Sequence, residues 1–191
     1  LYFLRIKFKL KPNFKLIELF SGYGSQALAF KYLGIPFIQH CICEWAIPSI
    51  IAYADLHVTD KKDYCNDLTK EQIVNELYHY GVSIDYNKPA TIEQLKRISE
   101  NKLRLVYNSI WQTNNLVDIT RVKGHDLAFT NDEEVVMTYS FPCQDLSVAG
   151  KGAGMAKNSG TRSGLLWEVE RILAERERES TAFSKIGQDD L

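Results

Sequence analysis

Apolar positions first cluster in a short block, Lys15-Leu16-Ile17-Glu18-Leu19-Phe20, which is too brief for a helix and reads as a strand. The tight-loop residues Ser21-Gly22-Tyr23-Gly24-Ser25 follow it, and apolar residues then recur at helical spacing from Gln26 to Leu33 until Gly34 stops the pattern. The order is strand, glycine loop, helix. Residues 36–43 (PFIQHCIC) read as a second strand with Glu44-Trp45 at its carboxyl end, and a helix is predicted from about Pro48 to Leu56. Two βα units in succession predict an α/β, doubly wound sheet. Residues 57–113 break this rhythm: helical patterns near Lys70 to Tyr80, Thr91 to Ser99 and Lys102 to Trp111 predict a helical insertion on the sheet. The α/β pattern resumes with Leu116 to Val122, and Glu134 to Ser140 (EVVMTYS) predicts a strand that should be central. Were the chain to stop here, the outer edge of that strand would be unpaired and apolar, a predicted aggregation site. After a glycine-rich loop, Gly164 to Leu173 (GLLWEVERIL) predicts an amphipathic helix, and residues 174–191 read as a polar tail with no apolar run of strand length. The organisation expected is an N-terminal extension over 1–13, a main domain over 14–173 and the tail, without internal repeats.

Composition narrows this picture only a little. With 191 residues, 45% hydrophobic and 25% charged, the chain suits one globular domain with a sizeable core. A net charge of −1 announces no global basic field, but Lys and Arg group at Arg5, Lys7, Lys9 and Lys11 and again around Lys151, Lys157 and Arg162, which leaves room for a local positive site. The four cysteines are too few and too unevenly placed for a disulfide scaffold, which favours a reducing, cytoplasmic compartment. No apolar run reaches membrane-spanning length and no signal peptide is recognisable. The chain begins with Leu1 rather than Met and is read as a fragment.

The candidate chemistry lies beyond the carboxyl ends of the strands, where open α/β sheets bind ligands. A glycine loop after the first strand lets backbone approach a ligand, and a carboxylate after the second can take two ribose hydroxyls. Glu44 lies 22 residues beyond Gly22, within the range that this geometry asks for, and Trp45 beside it could stack on an adenine. The alternative is that Gly22 and Gly24 only make a turn while Trp45 fills core. Cys143, in TYSFPCQDLSVAGKG (138–152), is open to two readings. Free cysteine is commonly a buried small hydrophobe, yet this one follows Pro142 at a strand's carboxyl end, among polar Gln144, Asp145 and Ser147, where thiolate character can be raised. His125 falls in a loop and is read as structural. Cys41 and Cys43 alternate along a strand and face one side; with His40 and Cys65 they could bind zinc, but the spacing is not that of a usual zinc knuckle and core packing is the better reading.

These residues resemble, motif by motif and in order, the DNA (cytosine-5) methyltransferases that use S-adenosylmethionine. ELFSGYGSQALAF (18–30) is similar to the first cofactor motif, with Phe20, Ser21, Gly22 and Gly24 at its loop. CEWAIPSIIAY (43–53) resembles the second, which implies Glu44 on the ribose and Trp45 against the adenine. VDITRV (117–122) resembles the third, implying that Asp118 receives the adenine amino group. SFPCQDLSVAGKGAGM (140–155) looks like the catalytic motif, with Cys143 as nucleophile and Pro142 at the cofactor, and GTRSGLLWEVERIL (160–173) like the helix after it. The resemblance implies a doubly wound, Rossmann-like methyltransferase sheet. It further implies flipping of a cytosine out of double-stranded DNA, addition of the Cys143 thiolate at carbon 6 and transfer of methyl to carbon 5. Gln144, Ser147, Lys151 and Arg162 would then be DNA contacts on a closing loop. The implied setting is bacterial or phage-encoded, of the restriction-modification or phage type.

The chain departs from the family after the fifth motif. The expected Glu-Asn-Val strand, whose glutamate contacts the flipped base, has no counterpart in AERERESTAFSKIGQDDL (174–191), and the later arginine motif, the target-reading region and the closing cofactor motif are also missing. The expectation is the front part of a methyltransferase, completed by further sequence or by a complementary chain and poorly active alone. The alternative is a remnant that binds cofactor or a partner without activity of its own.

Overall fold

The computed structural model describes the backbone of residues 11–140 and 162–189 and the side chains of 11–140 and 164–178. Strand β1 (Phe14–Leu19) is followed by helix α1 (Ser25–Tyr32), β2 (Phe37–Cys43) and α2 (Ile47–His57). Helices α3 (Lys70–Tyr80), α4 (Ile92–Lys96) and α5 (Glu100–Gln112) come next, then β3 (Val135–Tyr139) and α6 (Leu166–Asp189). The three strands form one parallel sheet in the order β2-β1-β3, so the chain leaves β1 for one neighbour and returns to its other side for β3.

Side-chain alternation along β1 explains its central place. Phe14 and Leu16 project to the face that carries Ala27 and Phe30 of α1, while Ile17 and Leu19 project to the face that carries Val169 and Ile172 of α6. Apolar side chains therefore leave β1 in both directions, as a strand covered on both faces requires. In β2 the register with β1 shifts between Leu16 and Ile17: Leu16 pairs with Gln39 and Ile17 with Cys41, passing over His40. This extra residue re-aims the strand. Phe37 accordingly packs on the α1 face, whereas Cys41 and Cys43 pack with Ile17 and Leu19 on the α6 face, in line with core packing for both cysteines. Cys65 lies in a different cluster, and the His40 ring bonds the Leu127 carbonyl at 2.8 Å.

One expectation needs correction. Residues 116–122 do not form a strand: Ile42 exchanges backbone bonds with Asn114 and Leu116 across a single bridge, and positive φ at Asn114 (47°) and Val117 (58°) turns the chain away. Among the described residues β3 pairs only with β1, whose two apolar faces make it the middle strand of these three. The helices within residues 57–113 pack against α2, and the segment meets the sheet's edge where Gln39 of β2 donates to the Thr113 carbonyl. Their core, including Ile73, Leu77, Leu103 and Ile110, packs on Ile47 and Ile50 of α2 and forms a cluster apart from the sheet's. Thr69 and Thr91 start α3 and α4 with reciprocal capping boxes to Gln72 and Gln94, each worth about 1 kcal/mol.

The polar tail beyond residue 173 continues α6, which a 3-10 turn over Arg162–Leu165 precedes. Arg171 on this helix spans Glu168 and Glu175 at 2.8 and 2.9 Å and donates to the Val122 carbonyl, tying α6 to the segment before β3. The helix passes so close to the 3-10 turn Gly124–Leu127 that a Cβ at Gly124 would stand 2.5 Å from the Arg176 backbone nitrogen. Backbone cannot yield there as a side chain can, so Gly124→Ala is expected to destabilise the fold by about 1–3 kcal/mol, read as a lower urea midpoint at unchanged slope.

Candidate functional site

The carboxyl ends of β1 and β2 meet at the glycine loop. Phe20, Gly22 and Gly24 have φ of 55°, 55° and 81°, so three of five consecutive residues are left-handed, which the two glycines adopt freely and Phe20 holds only under constraint from its neighbours. Two buried carboxylates bond backbone in and around this loop. Glu44 Oε2 accepts the Gly22 N–H at 3.0 Å and Oε1 the Ala46 N–H at 2.8 Å. Glu18 Oε1 accepts the Ala27 N–H at 3.1 Å in the first turn of α1, a helix whose N-cap, Gly24, has no side chain to do so, and Oε2 accepts the Tyr53 hydroxyl at 2.5 Å. Burial pushes both carboxyls above the usual carboxylate range, and these hydrogen bonds work against that rise.

Other ties complete the loop. The Ser21 N–H donates to the Cys43 carbonyl and the Gly24 N–H to the Ser21 carbonyl. From β3, the Ser140 N–H donates to the Leu19 carbonyl at 3.4 Å and its hydroxyl to the Phe20 carbonyl at 3.2 Å. From α2, His57 Nε2 bonds the Tyr23 carbonyl at 3.0 Å while Nδ1 faces Lys31 Nζ at 3.0 Å. A carbonyl accepts and an ammonium donates, so this ring is neutral with its proton on Nε2; burial, and then the Lys31 charge, lower its pKa in agreement.

The expected site residues fall unevenly on this frame. Phe20 is half-buried against the α6-side core, and Ser21 is 4% exposed with a hydroxyl that finds no partner among the described residues. Trp45 is half-buried against the insertion's core, and its carbonyl accepts the Ser83 N–H at 2.7 Å. Asp118 is held locally: Oδ1 accepts the Thr120 N–H and hydroxyl, and Oδ2 pairs with Arg121 Nε at 3.1 Å. Burial, and then the Glu44 and Asp118 charges, push the buried Cys43 thiol well above its ordinary range. Pro142, Cys143, Gln144, Ser147 and Lys151 lie outside the described residues, as does the side chain of Arg162. His125 is on the 3-10 turn, its side chain 68% exposed and 3.5 Å from Asp126.

Sequence reasoning missed four residues. Asn115 clamps Glu44, accepting its N–H at 3.0 Å and donating to its carbonyl at 2.9 Å; a polar residue just before the third motif was the only hint. Glu18, an acid near the end of an apolar strand, could have been flagged as a buried polar group in need of partners. Tyr53 and His57 gave no signal, because their partners are distant in sequence.

Gly24 admits no side chain. A Cβ would lie 2.4 Å from His57 Nε2 and 2.6 Å from the Tyr53 ring, whereas one at Gly22 would meet nothing within 4 Å. Gly24→Ala is therefore expected to cost about 2–4 kcal/mol against about 1–2 kcal/mol for Gly22→Ala, whose penalty is backbone conformation alone. Equal urea midpoints for the two variants would count against this packing.

Comparison with known proteins bears on the same segments. The family described as C-5 cytosine-specific DNA methylase matches residues 94–183. The orphan methyltransferase M.SssI of Spiroplasma monobiae is 32% identical over 170 residues, 86% of this chain and 43% of that protein. The type II methyltransferase M2.ScrFI of Lactococcus lactis subsp. cremoris is 32% identical over 162 residues, 83% of this chain and 43% of that protein. The chain thus spans less than half the length of these relatives. With two relatives aligned across most of its length and the family's own pattern over residues 94–183, the chain belongs to the C-5 cytosine-specific DNA methylase family.

Proposed function

We propose that the chain carries the cofactor site and the nucleophile of a DNA (cytosine-5) methyltransferase acting on double-stranded DNA, on a doubly wound, Rossmann-like sheet. The observation that carries this reading is the meeting of the glycine loop and Glu44 at the ends of β1 and β2, with Ser140 tying the entry to the cysteine motif onto the Phe20 carbonyl. It lies beside the strand where the chain order reverses, the place where open parallel sheets bind ligands.

The residues fit S-adenosylmethionine. Glu44 keeps lone pairs free on both oxygens after its two backbone bonds, enough to accept ribose hydroxyls, and the unpartnered Ser21 hydroxyl supplies a further polar atom in the loop. Phe20, Gly22 and Gly24 would shape the loop around the cofactor, with Trp45, Asp118 and Pro142 as its remaining contacts. The cofactor, when bound, supplies a methyl group activated by the positive charge on its sulfur.

Cys143 is the nucleophile in this reading. Its thiolate forms a bond to carbon 6 of a flipped cytosine, which makes carbon 5 the electron-rich atom that takes the methyl group. Loss of the carbon-5 proton then returns the electron pair that expels the thiolate. Gln144, Ser147, Lys151 and Arg162 hold the DNA, the two cations against phosphates. Target choice is assigned to sequence outside the motifs present here, contiguous or on a complementary chain, since the relatives run to more than twice the matched length. The type II label of the Lactococcus relative is what supports a bacterial restriction-modification setting.

Glu44→Ala is expected to weaken binding of S-adenosylhomocysteine at least ~10-fold by calorimetry, as loss of a hydrogen-bonded charge should. Cys143→Ser should leave that binding within about twofold but abolish covalent capture of DNA containing 5-fluorocytosine, whose carbon-5 substituent cannot leave as a proton. Capture by the serine variant would overturn the role of Cys143.

A further inference from the structure

The tie between Glu18 and Tyr53 has no role in the chemistry above. Glu18 is 1% exposed and Tyr53 fully buried, an arrangement in which an ionised carboxylate is costly unless every oxygen is engaged. Here each oxygen is engaged once, Oε1 by the first turn of α1 and Oε2 by the Tyr53 hydroxyl. The Tyr53 ring lies 4.3 Å from the His57 ring, and both press on Gly24, so α2 grips the loop at its last residue and, through His57, at Tyr23.

The two carboxylates thus differ in kind. Glu44 lies at the end of β2 and bonds the middle of the loop, whereas Glu18 lies beneath it and bonds only framework. Removing Glu18's hydroxyl partner would leave one oxygen of a buried carboxylate bare, and the bond at risk is then the one that sets where α1 begins.

We propose that Tyr53 is a positioning residue for the cofactor loop: by donating its hydroxyl to Glu18 it holds the carboxylate under the start of α1 and so keeps Phe20 to Gly24 in the binding conformation. This inference rests on the reading of that loop as the cofactor's seat. The titratable groups that act on Glu18 are Tyr53 from α2 and Lys31 from α1, and Tyr53 in turn meets the His57 ring and the Cys41 thiol's field. Burial raises the Glu18 carboxyl, while the Tyr53 hydroxyl, the Ala27 N–H and the Lys31 charge lower it. Deleting the hydroxyl removes a contact that favours the ionised form, so in Tyr53→Phe the carboxyl takes up its proton at higher pH than in the parent chain.

The test is calorimetric titration with S-adenosylhomocysteine between pH 5.5 and 8.5, values of about neutral range chosen to bracket a buried carboxyl. Tyr53→Phe is expected to bind about tenfold more weakly at pH 7.5, with its acid-side loss of affinity beginning at higher pH than in the parent. In a Glu18→Gln background, where no charge is buried and an acceptor for Ala27 remains, adding Tyr53→Phe should change affinity less than about twofold. Equal losses in both backgrounds, or no loss in either, would overturn the proposal. If the parent chain binds no S-adenosylhomocysteine, the cofactor reading fails by itself. Amide exchange of residues 22–28 in the unliganded chain then decides the tie: faster exchange in Tyr53→Phe that Glu18→Gln suppresses supports it, and unchanged exchange sinks it. Should Tyr53→Phe not fold, the Glu18→Gln chain with and without Tyr53→Phe serves, and a large difference between those two counts against the proposal.

Discussion

The loop after β1 depends on one constraint: two buried carboxylates beside it need hydrogen-bond donors, and Phe20 needs its neighbours to hold a left-handed conformation. The carboxylates are Glu18 near the end of β1 and Glu44 beyond the end of β2. Neither could be buried without partners, and those they find are the Gly22 N–H of the loop, the Ala27 N–H in the first turn of α1, the Ala46 N–H at the N-cap of α2 and the Tyr53 hydroxyl. Each group's requirement is met by the other's.

The rest of the fold serves this contact. β1 takes the middle of the sheet because its apolar residues alternate to both faces, which carries Glu18 to the α1 side and Leu19 to the α6 side. The bulge at His40 reverses the alternation of β2 in mid-strand, so the cysteines turn into the α6-side core. Asn115, delivered by the segment that returns from the insertion, fixes the backbone of Glu44 from both sides. The insertion therefore touches the site twice, through Asn115 and through Ser83 against Trp45, although its own core is separate.

Much of this was legible in the chain. The first two βα units, the three insertion helices and the strand before the cysteine motif all appear where periodicity puts them, because each is a local pattern read against one face. Residues 116–122 and the helical state of the polar tail depend on what lies beside them. An apolar run becomes a strand only if a partner edge lies alongside for several residues, and here a single bridge is all that Ile42 offers. A polar run becomes a helix when a packed helix before it supplies the nucleus, as the turns of α6 beside Gly124 do.

By itself, the sequence determined the order along the chain of the glycine loop after β1, Glu44-Trp45 after β2, then Asp118 and Cys143. Only the tertiary structure decided what holds them. Glu18, Tyr53, His57 and Asn115 act across separations of 9 to 71 residues, through bonds from Glu18 to Ala27, from Tyr53 to Glu18, from His57 to Tyr23 and from Asn115 to Glu44. Hydrogen bonds and close packing depend on distance in space, and no periodicity along the chain records which distant groups will share a buried carboxylate.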